Sequence, residues 1–131
     1  MPIISGPFEV KAFPLDLDET SKSVGIARMR FEKQFSGSLN ARSTVAFTGM
    51  LNKETGSGAY VALEVVDGSI DGRHGKFHFQ HSCTMNRGQQ EQSIKVVPDS
   101  GTGDLVGITG EMKIEIKEGG SHFYTFEYSL P

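Results

Sequence analysis

The sequence predicts an all-β protein whose eight strands form a closed antiparallel barrel or a sandwich. Apolar and polar residues alternate with period two through most of the chain, as they do in strands with one wet face. Residues that tolerate positive φ or start turns separate these runs at the short intervals of hairpins. Eight such runs joined mostly by short loops are typical of the two architectures.

Each run is assigned to one strand. EMKIEIKE is the clearest, because Met112, Ile114 and Ile116 interleave with charged residues. Between the first two runs, the segment 16–22 (DLDETSK) can host a short helical turn with Asp16 or Asp18 as its cap. The eight runs are GPFEVKAF (6–13), SVGIARMRFEKQF (23–35), SLNARSTVAFTGM (38–50), GAYVALEVV (58–66), KFHFQHSCTM (76–85), QQEQSIKVV (89–97), EMKIEIKE (111–118) and HFYTFEYSLP (122–131).

Composition narrows the class of protein. The 131 residues fit one domain, 1–131, with enough length to bury a core. A net charge of -3 and no basic run argue against nucleic acid as a partner. No apolar run approaches the roughly 20 residues of a membrane helix, and the first ten residues lack the pattern of a signal peptide. The single Cys83 excludes an internal disulfide and indicates a reducing compartment, so we expect a cytoplasmic protein.

The stretch DGRHGKFHFQHSCT (71–84) holds three of the four histidines and the only cysteine. Period two places His81 and Cys83 on one face, with Phe77 and Phe79, whereas His78 and Gln80 lie on the other. Two soft ligands on one face are fewer than the three or four that zinc requires. We therefore expect no metal and no cofactor.

The dipeptide Asp71-Gly72 predicts the register of the fourth and fifth strands. In a two-residue turn, Ala62 lies opposite His81 and Glu64 lies opposite Phe79. Glu64 and His81 then become diagonal neighbours within reach of each other. Either the two groups satisfy each other inside the barrel and hold the register, or they form an acid–base pair in an apolar pocket. The residues alone leave both interpretations open.

Several segments together resemble a known family: GPFEVKAF, KQFSGSLNA, YVALEVVDGSIDGRHGKFHFQHS, VVPDSGTGDLVGITGEMKI and YTFEYSLP. They are similar to the bacterial family called domain of unknown function 3224 (DUF3224), over about residues 6–131. The resemblance implies a single eight-stranded barrel, calycin- or lipocalin-like in shape and related to plant allene oxide cyclase and to dirigent proteins. Barrels of those proteins hold apolar ligands and assemble as oligomers, so a small homo-oligomer, a dimer or a trimer, is expected.

The first functional hypothesis is that the barrel binds a small apolar or amphipathic molecule, with isomerase- or cyclase-like proton transfer. The alternative is a non-catalytic structural or interaction barrel whose interior is filled by side chains. The opposite face of the Glu64 strand, with Val61 and Leu63, is also apolar, which indicates either a subunit interface or an inverted register. The candidate catalytic residues are Glu64 and His81, and the candidate ligand-binding residues are Tyr60, Phe77, Phe79, Gln80 and Cys83.

Overall fold

The computed structural model describes residues 1–131. A single short helix, α1 (Glu19–Val24), follows the first strand, and 3₁₀ turns at Gly103–Leu105 and Glu118–Gly120 interrupt two later connections. None of these helical segments is long and apolar enough to cross a membrane. The strands are β1 (Ile3–Pro14), β2 (Ala27–Phe35), β3 (Leu39–Asn52), β4 (Ser57–Ile70), β5 (Arg73–Asn86), β6 (Gln89–Val96), β7 (Thr109–Ile116) and β8 (His122–Ser129).

The eight strands close into one antiparallel barrel in sequence order, with β8 hydrogen-bonded to β1. This confirms the all-β prediction and the single eight-stranded barrel that the family resemblance implies, and it excludes the sandwich. Most neighbouring strands pair over six or more positions, but β6 and β7 pair only at Lys95 and Glu111. The barrel is therefore joined most weakly along the β6–β7 seam.

One half of the barrel interior is filled by aromatic side chains. Phe77 and Phe126 stack with ring centroids 6.0 Å apart, and Phe79 packs its edge against Phe126 at 5.3 Å. Leu105 and Ile108, from the connection between β6 and β7, are buried against the same cluster. This connection closes one end of the barrel, and dispersion and burial of these rings stabilise that end.

The turn between β4 and β5 has the predicted geometry. Asp71 and Gly72 both have positive φ, 48° and 82°, as a two-residue type I′ turn requires. Its register pairs Ala62 with His81 and Glu64 with Phe79, which confirms the register derived from the sequence.

The starts of β1 and β2 differ from the sequence prediction. β1 begins at Ile3 because its first residues pair with β8, a partner that is distant in sequence. β2 begins only at Ala27, since α1 occupies the preceding residues. Asp18, rather than Asp16, caps this helix by accepting a hydrogen bond from the Ser21 amide at 2.7 Å, and Gly25 ends it with φ 80°.

The outer face of β4 is partly apolar. Val61 and Leu63 are 58% and 57% exposed, while Glu64 on the alternate face is fully buried. The Glu64 face of β4 therefore forms the barrel interior, and the face with Val61 and Leu63 points outward, so the orientation of the strand is not inverted. The homo-oligomer stays a prediction, and this outer face is where a second copy would bury apolar area.

Candidate functional site

Four polar side chains form a row across neighbouring strands inside the barrel. Lys33 on β2 pairs with Ser43 on β3. Val45, which is two residues after Ser43 and shares its face, pairs with Glu64 on β4. His81 on β5 continues the row on the other side of Glu64. Because every second residue of a strand points inward, the closed barrel places all four on one surface.

Glu64 is the centre of this row and its side chain has no solvent exposure. Its Oε1 lies 2.6 Å from Nε2 of His81 and accepts a bond from Nζ of Lys33 at 3.3 Å. Its Oε2 accepts a hydrogen bond from Oγ of Ser43 at 2.5 Å. Lys33 also lies near the faces of Phe8 and Phe35, with Nζ 5.4 and 5.8 Å from the ring centroids.

The surroundings of Glu64 favour its ionised form. Burial by itself raises the pKa of the carboxyl, but the hydrogen bond with His81, the positive charge of Lys33 and the hydrogen bond from Ser43 outweigh that effect. The pKa of Glu64 therefore lies below its ordinary value. An ionised carboxylate only accepts hydrogen bonds, so Nε2 of His81 carries a hydrogen and donates it.

A cavity of about 300 Å³ occupies the half of the interior that aromatic side chains leave unfilled. Residues of all eight strands line it, near the end that carries the β3–β4, β5–β6 and β7–β8 connections. The lining residues are Phe8, Val10, Phe31, Lys33, Val45, Phe47, Tyr60, Ala62, His81, Gln92, Ile114, Ile116 and His122. A larger depression of about 360 Å³ crosses β1–β3, but it has no apolar lining residue. The interior cavity thus fits a small molecule better.

The cavity has an aromatic wall and a polar floor. Phe31 packs edge-on against Phe47, at 5.4 Å between centroids, and Phe47 lies 5.0 Å from the ring of Tyr60. Nε2 of Gln92 donates a hydrogen bond to Tyr60 Oη at 2.8 Å, which fixes both side chains at the cavity edge. Lys33 and His81 provide the polar groups of the floor, and Glu64 lies beneath them, out of contact with the cavity.

Comparison with known proteins identifies the family. The model of the family described as "Protein of unknown function (DUF3224)" matches residues 4–128. The chain belongs to the DUF3224 family. It is similar to the crystal structure of a DUF3224 protein of unknown function from Shewanella oneidensis MR-1, with 37% identity and a TM-score of 0.90. The similarity covers 100% of this chain and 98% of the other. No curated protein matches the chain.

The structure brings together only part of the predicted site of this DUF3224 protein. His81 and Tyr60 line the cavity, and Glu64 contacts His81 as predicted. The other predicted ligand-binding residues lie elsewhere. Phe77 and Phe79 belong to the filled end, Cys83 is buried outside the cavity lining, and Gln80 is exposed on the outer face of β5.

Sequence reasoning missed most residues of the site, including several polar ones. Lys33 and Ser43 bind Glu64, and His122 is half-buried at the cavity edge with its ring 5.2 Å from the ring of Phe8. Lys33 lies between Phe31 and Phe35, both two positions away, and this alternation was the signal that it points inward. No three His, Cys, Asp or Glu side chains of the DUF3224 barrel lie close enough to hold a metal ion.

Proposed function

We propose that this barrel binds a small amphipathic molecule in its open cavity, with the polar end of the molecule at Lys33 and His81. The observation that carries the proposal is an apolar cavity of about 300 Å³ with two convergent polar side chains at its floor. Small-molecule sites typically combine predominantly apolar walls with a few placed polar groups, in volumes of roughly 300 to 1,000 Å³.

The alternative, a structural barrel with a filled interior, fits only the closed end. There Phe77, Phe79 and Phe126 pack against one another, and none of them lines the cavity. A role confined to holding the register would not require the remaining half of the barrel to stay open, with Lys33 and His81 facing the space.

A matched pair of variants tests cavity binding. Ala62 lines the cavity, so Ala62→Leu should narrow it, whereas Ala46→Leu adds the same volume on the exposed face of β3. In a thermal-shift panel of fatty acids, oxylipins and cyclic terpenoids, a bound compound at 100 times its Kd should stabilise the wild type by about 2.7 kcal/mol. The effect should weaken in Ala62→Leu and persist in Ala46→Leu. Equal binding by both variants would place the ligand elsewhere, and no stabilisation by any compound would count against the proposal.

A second candidate function is proton transfer on the bound molecule. Glu64 accepts the Nε2 hydrogen of His81, and the other ring nitrogen, Nδ1, has no hydrogen-bond partner and is not sealed from solvent. With Nε2 protonated, Nδ1 of the neutral ring carries a lone pair. We propose that Nδ1 removes a proton from carbon next to a carbonyl group, that the ammonium of Lys33 stabilises the enolate oxygen, and that the imidazolium returns the proton.

Hydrogen exchange tests this chemistry. In D₂O, the protein should accelerate deuterium incorporation next to the carbonyl of 2-octanone, as followed by proton NMR. His81→Gln should reduce the rate to that of buffer, while His78→Gln, on the exposed face of the same strand, should leave it unchanged. An equal rate with and without wild-type protein would refute proton transfer, although cavity binding would stand.

We also propose a cytoplasmic location. Its support is the single Cys83, which is a free, buried thiol. Fractionation of source cells with an antibody against the barrel would test it, and recovery in an extracellular fraction would overturn it.

A further inference from the structure

We propose that the ligand of the cavity is an amphipathic carboxylic acid of about ten non-hydrogen atoms, bound with its carboxyl group between Lys33 and His81. This inference rests on the proposed binding function and names the chemical class that the cavity floor recognises.

Lys33 supplies unused hydrogen-bond donors. Its ammonium has three N–H groups, and the only acceptor that Nζ contacts is Oε1 of Glu64, at 3.3 Å. Lys33 lines the cavity, and its side chain is only 8% exposed. An acceptor group on a ligand would therefore meet a largely desolvated cation, where charge-assisted hydrogen bonds are strong.

His81 supplies a matching acceptor. Its Nε2 is committed to Glu64, and Nδ1 is unpartnered. Nε2 of His81 and Nζ of Lys33 contact the same carboxylate oxygen, at 2.6 and 3.3 Å, so both groups lie at one point of the floor. A carboxylic acid presents one oxygen that accepts a hydrogen bond from Lys33. Its acidic O–H can donate a hydrogen bond to Nδ1 or transfer its proton to Nδ1.

The charges of the floor favour an acid over a neutral or basic molecule. The negative Glu64 and the positive Lys33 compensate each other. If the acid transfers its proton to Nδ1, the imidazolium and the ligand carboxylate form a second compensated pair, so the apolar cavity gains no net charge. An amine would bring a second cation beside Lys33, and an amide would supply hydrogen bonds without the charge.

The size of the cavity sets the length of the ligand. A volume of about 300 Å³ corresponds to roughly ten water volumes of about 30 Å³ each, hence on the order of ten non-hydrogen atoms. With the carboxyl group at the floor, the apolar body would pack against Phe31, Val45 and Phe47 toward the open end.

Three compounds with the same chain test the head group: octanoate, octanamide and octylammonium. Isothermal titration calorimetry at neutral pH should show octanoate binding about tenfold or more tightly than octanamide, because it adds a charged hydrogen bond. Octylammonium should bind most weakly. Equal affinities of octanoate and octanamide would overturn the inference and leave the binding function intact, whereas no binding of all three would refute both.

Three variants test the role of Lys33. Lys33→Met removes the cation and leaves Glu64 uncompensated, so the preference should reverse toward octylammonium. Lys33→Met combined with Glu64→Gln gives an uncharged floor, which should abolish the preference for either charge. Lys95→Met, on the outer face where Lys95 is 61% exposed, should bind like the wild type. Retention of the octanoate preference by the first two variants would overturn the inference.

Discussion

Glu64→Gln should destabilise the barrel by about 3 kcal/mol, since removing one partner of a buried ion pair typically costs about 3–5 kcal/mol and glutamine keeps the shape of the side chain. The substitution leaves the ammonium of Lys33, only 8% exposed, without its counter-charge, and it weakens the bonds to His81 and Ser43. For a domain of this length, the loss corresponds to a melting temperature lower by about 10 °C.

Urea unfolding followed by circular dichroism measures this effect. Glu91→Gln is the matched control because Glu91 is exposed on β6. A double-mutant cycle with His81→Gln should give a coupling of about 1 kcal/mol or more between Glu64 and His81. A loss below about 1 kcal/mol together with a coupling near zero would refute the buried network as a source of stability.

The same variant reports the pKa of Glu64. Its folded-state pKa lies below the ordinary value of 4.5, so the stabilisation is complete above that value and is lost as the pH falls through the folded-state pKa. Glu64→Gln cannot titrate there. The difference in unfolding free energy between wild type and variant should therefore shrink on acidification, and a constant difference down to pH ~2 would contradict the lowered pKa.

Three further predictions concern the rest of the barrel. Tyr128→Phe removes the 2.6 Å hydrogen bond to Asp71 and should lower the free energy of unfolding by about 2 kcal/mol. Burial and Asp71 raise the pKa of Tyr128 to about 12, so the wild type should lose this stabilisation as the pH rises from 10 through 12. The Tyr128→Phe variant should show no such loss. Gly68→Ala should cost about 2 kcal/mol in urea unfolding, since its Cβ would lie 2.6 Å from Cα of Ala41, and an unchanged midpoint would contradict this close approach. Sedimentation should show wild type as a dimer or trimer and Leu63→Glu as a smaller species; a monomeric wild type would reject the oligomer.

Much of the fold was predictable because its signals are local. Period two defined the strands, and the positive-φ dipeptide Asp71-Gly72 fixed the β4–β5 register. That register brought Glu64 and His81 together from positions 17 residues apart. The alternation of side chains along a strand and the length of a hairpin turn both depend on neighbouring residues. The sequence alone therefore determined the contact between Glu64 and His81.

Only the tertiary structure decided the composition of the site and which half of the barrel is open. Lys33 reaches Glu64 across 31 residues through two strand pairings, and no single short turn fixes both registers. Phe77 and Phe79 share a face with His81, yet they pack into the closed end, because Leu105 and Ile108 come from a distant connection to cover that end. Which residues share a face follows from the period of one strand, but how far along the barrel its interior is filled depends on side chains from all eight.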